Sequence, residues 1–315
     1  MSLTVTDLQK SYKEVQALGG LSFKLEPGSS IALLGPNGAG KSTAIKILTT
    51  LVRPDSGRIE WGGKDLLKDP PALRDLVGYV SQEIAMDKVL TAVEFMRFTA
   101  GLLHLKWRDH RERALALIDQ LGLREAQDRR VGEYSGGMKR RLDLATALLH
   151  NPRVLILDEP TTGLDIEARE LIWRLIEQFK RDGGAVILAS HDFQEVQHLA
   201  DHVLILEKGV VKQSDAPDQL KQALGRWIVR LSTHEFMDKA AVDAARAVFA
   251  EQPGYRVLEQ ETACLALACS SEADMGDIHR QVFAAATDAG LPVFSLNIQH
   301  PNLEDVYRFS LRGDA

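Results

Sequence analysis

A glycine-rich segment near residue 40 carries the clearest chemical signal in the sequence. Residues 35–42 fit the pattern G-x-x-x-x-G-K-S, with an apolar strand-like run before them and a helical apolar period after them. Glycines let such a loop curl so that successive backbone N–H groups point into one concavity, to which the following helix adds its positive N-terminal end. The pattern predicts a cradle for a triphosphate, built from Gly35, Pro36, Asn37, Gly38, Ala39, Gly40, Lys41, Ser42 and Thr43.

Two side chains of this segment are suited to the charges of a bound triphosphate. Lys41 supplies a positive charge for the β- and γ-phosphates, and the Ser42 hydroxyl is placed to bind Mg²⁺. The plainer interpretation is an ordinary glycine turn before a helix. The order of strand, glycine loop and helix favours the cradle.

Hydrolysis also needs carboxylates, and two follow the apolar run 154–157. Asp158 ends this predicted strand and Glu159 is the next residue, at the carboxyl edge where open α/β sheets bind their ligands. We expect Asp158 to join the Mg²⁺ shell through water and Glu159 to act as general base for the attacking water. The alternative is two acids that merely end a strand.

These residues require a sheet that brings several strand ends together. Strands that alternate with helices favour an α/β fold with a mostly parallel sheet. Between 86 and 151 the pattern turns helical, which predicts a helical subdomain inserted between strands. The predicted strands are 3–12, 21–25, 30–34, 77–81, 154–157, 185–189 and 203–206, and the predicted helices are 44–51, 91–105, 109–122, 138–149 and 164–179.

The pattern changes after residue 222, where we place a boundary between a domain of residues 1–222 and one of residues 223–315. The second domain reads strand, helix, strand, strand, helix, strand, which matches a small α+β unit of the ferredoxin-like kind. A last amphipathic segment, 303–311, is suited to a short helix. The elements before it are 227–231, 236–249, 255–259, 264–268, 275–286 and 293–298.

Composition excludes several classes of protein. The 315 residues are 45% apolar and 26% charged, so a disordered or collagen-like chain is excluded. The formal charge of −6 argues against nucleic acid as a partner.

Cys264 and Cys269, five residues apart in a predicted strand, point to opposite faces, so we read them as reduced thiols rather than a metal or redox pair. No secretory signal or membrane span is recognised, which predicts a cytoplasmic protein.

The order of the motifs over residues 1–222 resembles the ATP-binding subunit of an ABC transporter. Besides the glycine loop and the two carboxylates, the sequence has Ser135-Gly136-Gly137 at the head of a helix, Gln82 after the strand 77–81, Gly163-Leu164-Asp165 past the carboxylates, and His191 after the strand 185–189. The resemblance implies a P-loop NTPase cassette with a RecA-like core and an inserted helical subdomain. It also implies ATP and Mg²⁺ as cofactors.

The resemblance further assigns roles to residues that spacing alone leaves open. Ser135, Gly136 and Gly137 would contact the γ-phosphate held by another copy, so a homodimer would close around two ATP molecules, with Asp165 among the nucleotide-binding residues. His191 would contact the γ-phosphate and the attacking water. Gln82 would sense Mg²⁺ beside the surface for a membrane partner, and Tyr12 would stack on adenine.

The signature loop departs from the usual family text, because Tyr134 precedes it and Met138 follows it where Leu and Gln are usual. These residues, the second domain and the segment 303–307 resemble the drug-resistance branch of bacterial ABC ATPases. That branch implies an exporter of drugs, lipids, polysaccharides or ions, with a separate membrane subunit of about six helices, at the inner face of the cell membrane. The alternative is a soluble ABC ATPase or nucleotide switch with a non-transport partner. For the second domain, a contact between copies and a solvated accessory role both stay open.

Overall fold

The computed structural model describes residues 1–233, 244, 246–249, 251–261, 264–291 and 293–312. The chain divides into two compact units, 1–214 and 215–315. The predicted boundary after residue 222 falls inside a helix, Pro217–Leu224, which the division assigns to the second unit. Among the described residues, no helix combines the length and apolar character needed to cross a membrane.

The first unit consists of two sheets and the helices that cover them. Its strands are β1 (Leu3–Tyr12), β2 (Val15–Leu25), β3 (Ser30–Leu34), β4 (Ser56–Trp61), β5 (Lys64–Asp65), β6 (Val77–Val80), β7 (Val154–Asp158), β8 (Ala185–Ala189), β9 (His202–Glu207) and β10 (Val210–Asp215). Its helices are α1 (Lys41–Leu48), α2 (Pro70–Leu76), α3 (Ala92–Leu102), α4 (Trp107–Gln120), α5 (Gly136–Leu148), α6 (Ile166–Arg181) and α7 (Phe193–Leu199).

The larger sheet brings the chemically interesting strand ends to one edge. Its order is β10-β9-β3-β8-β7-β6, and the pairs from β9 to β6 are parallel, which confirms the predicted, mostly parallel sheet. Strands β3 and β8 are buried along their whole length, as expected for parallel strands covered on both faces. Ala189 lies opposite Leu33 and also opposite Asp158. The segments after β3, β7 and β8 therefore leave the sheet side by side.

The smaller sheet is antiparallel, in the order β2-β1-β4-β5. Its apolar side chains share a core with helix α1 and with one face of the larger sheet. This core includes Leu3, Leu8, Leu18, Leu25, Ile31, Leu33, Ile45, Leu48, Ile59, Ile156 and Ile187. The phosphate-loop segment is thus held between two sheets.

Helices α3, α4 and α5 lie between β6 and β7, which confirms the inserted helical subdomain. Capping residues set their true ends. The Thr91 hydroxyl and the Glu94 carboxylate form a reciprocal capping box at the start of α3, and Ser135 caps α5. Helix α1 starts at Lys41, three residues before the predicted start, because the chain becomes helical directly after Gly40.

The second unit contains a four-stranded antiparallel sheet in the order β12-β13-β11-β14. With the strands counted from β11, this is the order 2-3-1-4, the ferredoxin-like arrangement that the sequence suggested. Of the predicted helix 236–249, residues 244 and 246–249 are helical and the others lie outside the described residues. The elements are α8 (Pro217–Leu224), β11 (Trp227–Thr233), β12 (Tyr255–Glu261), β13 (Cys264–Cys269), α9 (Met275–Asp288), β14 (Val293–Gln299) and α10 (Leu303–Arg312).

The final helix, α10, is attached to this sheet by polar contacts. Arg230 of β11 forms an ion pair with the buried carboxylate of Asp305. The other Asp305 oxygen accepts a hydrogen bond from the Asn302 N–H at 3.0 Å. The Arg256 guanidinium lies 4.2 Å from the centre of the Phe309 ring. The segment 303–307 therefore helps to hold α10 on the sheet, through Asp305.

Both cysteines of this unit, Cys264 and Cys269, are free thiols.

Candidate nucleotide-binding site

The phosphate loop connects β3 to α1 and is packed on one side only. A Cβ atom added at Gly35 would lie 2.5 Å from the Leu206 carbonyl oxygen, whereas one added at Gly38 would meet no atom within 4 Å. Gly38 and Gly40 have φ angles of +83° and +107°, which a residue with a Cβ atom adopts only with strain. The loop therefore rests against the sheet while its other side stays open.

The turn between β9 and β10 holds the loop from behind. The Gly209 N–H donates to the Ala39 carbonyl at 3.0 Å, and the Gly19 N–H donates to the Gly209 carbonyl at 2.8 Å. Lys208 and Gly209 both have positive φ angles, as in the tight two-residue turns that connect antiparallel strands. Through this turn, β2 and the larger sheet support the same loop.

Lys41 points back over the loop and lies near the carboxylates. Its ammonium group donates to the carbonyl oxygens of Gly35 at 2.5 Å and Pro36 at 3.1 Å. Burial lowers the pKa of Lys41, and the charges of Glu159 and Asp158 oppose that shift. An open concavity, a half-buried cation and the exposed Ser42 in the first turn of α1 together fit a triphosphate group.

Asp158 ends β7 with its carboxylate half-buried. Burial is the largest cause that raises the pKa of Asp158, and the charge of the neighbouring Glu159 raises it further. The positive charges of Arg140 and Lys41 act in the opposite direction. Such a site favours a cation, because positive charge offsets the cost of an ionised carboxylate that has lost part of its water.

Glu159 has an unusual backbone and a well-defined partner. Its φ angle is +52°, in the left-handed region, and its N–H donates to the Ala189 carbonyl at 2.8 Å. Its Oε2 atom lies 2.7 Å from His191 Nδ1 and accepts a hydrogen bond from Thr162 Oγ1 at 3.1 Å. The carboxylate-bearing side chain is 11% exposed, and that of His191 is 73% exposed. Left-handed strain at a non-glycine residue costs about 1–3 kcal/mol and is concentrated at functional sites.

The signature segment lies at the start of α5 and beside α6. The Ser135 hydroxyl accepts the Met138 N–H at 3.2 Å and so caps α5. A Cβ atom at Gly137 would lie 3.5 Å from the Ala168 side chain, so the two helix starts are close. Asp165 caps α6 by accepting the Ala168 N–H at 2.8 Å.

The departure at Tyr134 has a local explanation. The Tyr134 ring is buried, and its hydroxyl donates to the Ala126 carbonyl at 2.6 Å. Tyr134 therefore packs inside the helical subdomain with its polar atom satisfied. The exposed Ser135 and Gly136 next to it are left facing solvent.

Two further predicted residues lie at the borders of the site. Gln82 is exposed, two residues after the end of β6. Tyr12 is 44% exposed at the end of β1, with the Lys10 ammonium 5.6 Å from its ring centre. The paired strand β2 reaches the loop, since a Cβ atom at Gly40 would lie 2.6 Å from the Ala17 carbonyl.

Two buried charged residues behind the carboxylates were missed by the sequence analysis. One is Arg140 of α5. The other is Glu195 of α7, whose Oε1 atom accepts hydrogen bonds from Thr161 Oγ1 at 2.7 Å and Trp173 Nε1 at 3.4 Å. Burial raises the pKa of Glu195. Their partners are distant in sequence, so local patterns do not distinguish them from ordinary surface charges.

Comparison with known proteins gives a consistent family. The profile described as ABC transporter matches residues 18–162. The daunorubicin resistance ATP-binding protein DrrA2 of Streptomyces coeruleorubidus is 36% identical, over 95% of this chain and 92% of its own. The linearmycin resistance ATP-binding protein LnrL of Bacillus subtilis is 34% identical, over 97% of this chain and 96% of its own. A solved ATP-binding cassette, a dimer in a post-hydrolysis state bound to ADP and Pi, superposes with a TM-score of 0.61 at 25% identity, over 68% of this chain and 98% of that one.

The chain belongs to the ATP-binding subunits of ABC transporters, and within them to the drug-resistance branch. It is an ATPase that binds ATP and powers a separate membrane component. Cassettes of this family form dimers. The comparisons give no support to the non-transport alternative.

Proposed function

We propose that this subunit drives the export of drug-like compounds by hydrolysing Mg²⁺-bound ATP in sites shared between two copies. The proposal of export is supported by relatives along the whole chain whose names refer to resistance to daunorubicin and linearmycin. The proposal of ATP hydrolysis rests on the contact between Glu159 Oε2 and His191 Nδ1 at 2.7 Å.

The phosphate loop, from Gly35 to Thr43, would hold the β- and γ-phosphates. Lys41 would exchange its two carbonyl partners for phosphate oxygens, which are stronger acceptors because they are charged. Ser42 would bind Mg²⁺, Asp158 would join its shell through water, and Gln82 would sense the ion. When bound there, Mg²⁺ would neutralise charge on the phosphates.

Glu159 would act as general base, and His191 would orient both the carboxylate and the substrate. The imidazole would donate Nδ1–H to the Glu159 carboxylate, which leaves Nε2 of this exposed side chain to contact a phosphate-bound water. The strained backbone of Glu159 fixes where that carboxylate points.

The second copy would complete each site. The signature segment would supply the contacts of Ser135, Gly136 and Gly137. Ser135 and Gly136 are exposed and Gly137 is half-buried at the N-terminal end of α5, a helix of 13 residues, where the helix dipole favours an anion. Asp165 would line the same interface, because its neighbour Leu164 and its capping partner Ala168 both lie close to Gly137. Tyr12 would stack on adenine with its exposed ring.

The subunit would work at the cytoplasmic face of the cell membrane, against a membrane subunit of about six helices, as in the drug-resistance branch. Gln82 would lie next to that contact. A nucleic-acid partner is not part of the proposal, because the chain carries a formal charge of −6.

A mixing experiment tests the shared site. Lys41→Ala removes the cation of the phosphate loop. Ser135→Arg places a large side chain in the signature segment, which forms the other half of each site. Each variant alone should be inactive, whereas an equimolar mixture should regain about a quarter of wild-type turnover, because half of random dimers then hold one intact site out of two. Lys24→Ala, at an exposed lysine of β2, is the control and should keep full activity. Full ATPase activity of either variant alone would contradict the shared site. The membrane partner is tested separately, by asking whether a membrane protein purifies together with this subunit.

A further inference from the structure

Arg140 makes an unusually complete set of contacts behind the two carboxylates. The residue is 4% exposed, although it lies on α5 among charged neighbours. A guanidinium group has five N–H donors in a fixed planar arrangement. Here they face five oxygen atoms, the carbonyls of Ser81, Asp158, Glu159 and Pro160 and the Oδ2 atom of Asp143.

The distances show which of these contacts are close. Nη2 donates to the Glu159 carbonyl at 2.6 Å and to the Asp158 carbonyl at 2.8 Å, and Nε donates to the Pro160 carbonyl at 2.8 Å. Nη1 contacts the Ser81 carbonyl and lies 3.5 Å from Asp143. Three successive carbonyl groups of one turn are therefore held by one planar group.

That turn is the strained one. Glu159 has a φ angle of +52°, and a left-handed residue with a side chain persists only where its surroundings over-determine it. On one side the Glu159 N–H is held by the Ala189 carbonyl, and on the other side Arg140 holds its carbonyl. Without the guanidinium, the carbonyls of Asp158 and Pro160 would lose this donor, and the Glu159 carbonyl would keep only the longer hydrogen bond from the Thr162 N–H at 3.4 Å. The turn would then be less firmly held.

Arg140 also connects this turn to two other parts of the site. It lies five residues after Ser135, on the helix that Ser135 caps. Through the Ser81 carbonyl it reaches the residue directly before Gln82. A rotation of α5 would be transmitted to the backbone of Glu159 and to the segment of Gln82 by the same side chain.

We infer that Arg140 is a positioning residue that ties helix α5 to the left-handed backbone of Glu159, and that it therefore governs ATP hydrolysis without governing ATP binding. The inference rests on the proposed role of Glu159 as general base. Arg140 itself does not contact ATP in this scheme.

The test is a double-mutant cycle of Arg140→Lys and Glu159→Gln. Lysine keeps the charge but offers its three donors from a single atom, so it cannot hold five oxygens at once. We expect Arg140→Lys to bind ATP within about twofold of wild type and to lose about tenfold or more in kcat, because a small misplacement of a catalytic group costs up to about 10²-fold. In the Glu159→Gln background it should cause almost no further loss, since residues that act as a unit are not additive.

The control is Arg113→Lys. Arg113 is half-buried and also donates to a carbonyl, that of Leu148, at 2.8 and 3.1 Å, within the helical subdomain and away from the carboxylates. Hydrogen exchange of the backbone around residues 155–165 gives a readout independent of turnover. It should be faster in Arg140→Lys than in Arg113→Lys, while exchange in α1 stays unchanged.

Each outcome decides the inference. Equal losses of kcat from Arg140→Lys in the wild-type and Glu159→Gln backgrounds would overturn it and leave the role of Glu159 intact. Loss of ATP binding by both Arg140→Lys and Arg140→Gln would also overturn it, because Arg140 would then stabilise the cassette as a whole. If Glu159→Gln itself turns over ATP normally, the proposed function fails at its general base, which is a distinct result.

Discussion

The exposed imidazole of His191 covers the largely buried carboxylate of Glu159, with Nδ1 and Oε2 2.7 Å apart. The two residues belong to segments that follow different strands, β7 and β8. Those strands are parallel and in register, with Asp158 opposite Ala189, so the segments that follow them emerge next to each other. A contact between residues 32 positions apart is thus a direct consequence of the sheet.

Replacing Glu159 by Gln should separate ATP binding from turnover. The amide keeps the size of the side chain but cannot accept a proton from water, so we expect kcat to fall by about 10²-fold or more while ATP affinity is retained. A dimer that persists with ATP on a sizing column should accompany the loss. Glu177→Gln is the control, because Glu177 also contacts a histidine, His198, at 3.2 Å, but lies on the surface of α6. Near-normal turnover of Glu159→Gln would remove Glu159 from the role of base.

Replacing His191 by Ala should lower kcat by about 10- to 10²-fold, since the carboxylate would lose the group that orients it and the substrate would lose an Nε2 contact. His198→Ala is a matched control, because His198 is a second exposed histidine whose Nε2 atom lies 3.2 Å from a glutamate of the same unit. Steady-state ATPase assays on both variants are sufficient. Equal losses for the two histidines would show that the effect is a general one on the cassette.

The glycine loop, the two carboxylates, the parallel sheet and the inserted helical subdomain were all predictable from sequence, because each depends on a local pattern. The loop 35–40 is marked in the sequence by glycines, two of which, Gly38 and Gly40, take positive φ angles. The run 154–157 is apolar because β7 is buried on both sides. Helix ends were less predictable. The start of α6 at Ile166 is set by the Asp165 cap rather than by the apolar period that begins at Leu164.

Contacts across the fold could not be predicted in this way. Arg140 and Arg141 are adjacent in sequence, yet Arg140 reaches the turn at Glu159 whereas Arg141 donates to the Leu121 carbonyl at 2.9 Å within the helical subdomain. Glu195 is buried against Thr161 and Trp173, which precede it by 34 and 22 positions. Such partners depend on how helices pack on the sheet, and a single sequence contains no local signal for that packing.

Replacing Gly209 by Ala should weaken ATP binding from behind the phosphate loop. Gly209 has a φ angle of +80°, and an added Cβ atom would lie 2.8 Å from the Ala17 carbonyl, so the turn must shift and the hydrogen bond to the Ala39 carbonyl must weaken. The control is Gly183→Ala, which has a similar φ angle of +87° but no atom within 4 Å of the added Cβ. Both variants should lose about 1 kcal/mol of stability from backbone strain. Only Gly209→Ala should also lose ATP affinity in equilibrium binding, and equal affinities would contradict the supporting role of the turn.

Asp143 should make the stability of the protein fall as the pH rises through weakly acidic values. Burial raises its pKa to about 6 from the usual 3.8, against the opposing charge of Arg140. The folded state therefore holds the Asp143 proton more tightly than the unfolded state, and this contribution is complete below about pH 4 and is lost as the pH passes 6. At about 1.4 kcal/mol for each pKa unit, the loss relative to Asp143→Asn should approach about 3 kcal/mol. Urea unfolding of both proteins from pH 4 to 7 measures the difference directly. A difference that does not change with pH would show that folding does not raise the pKa of Asp143.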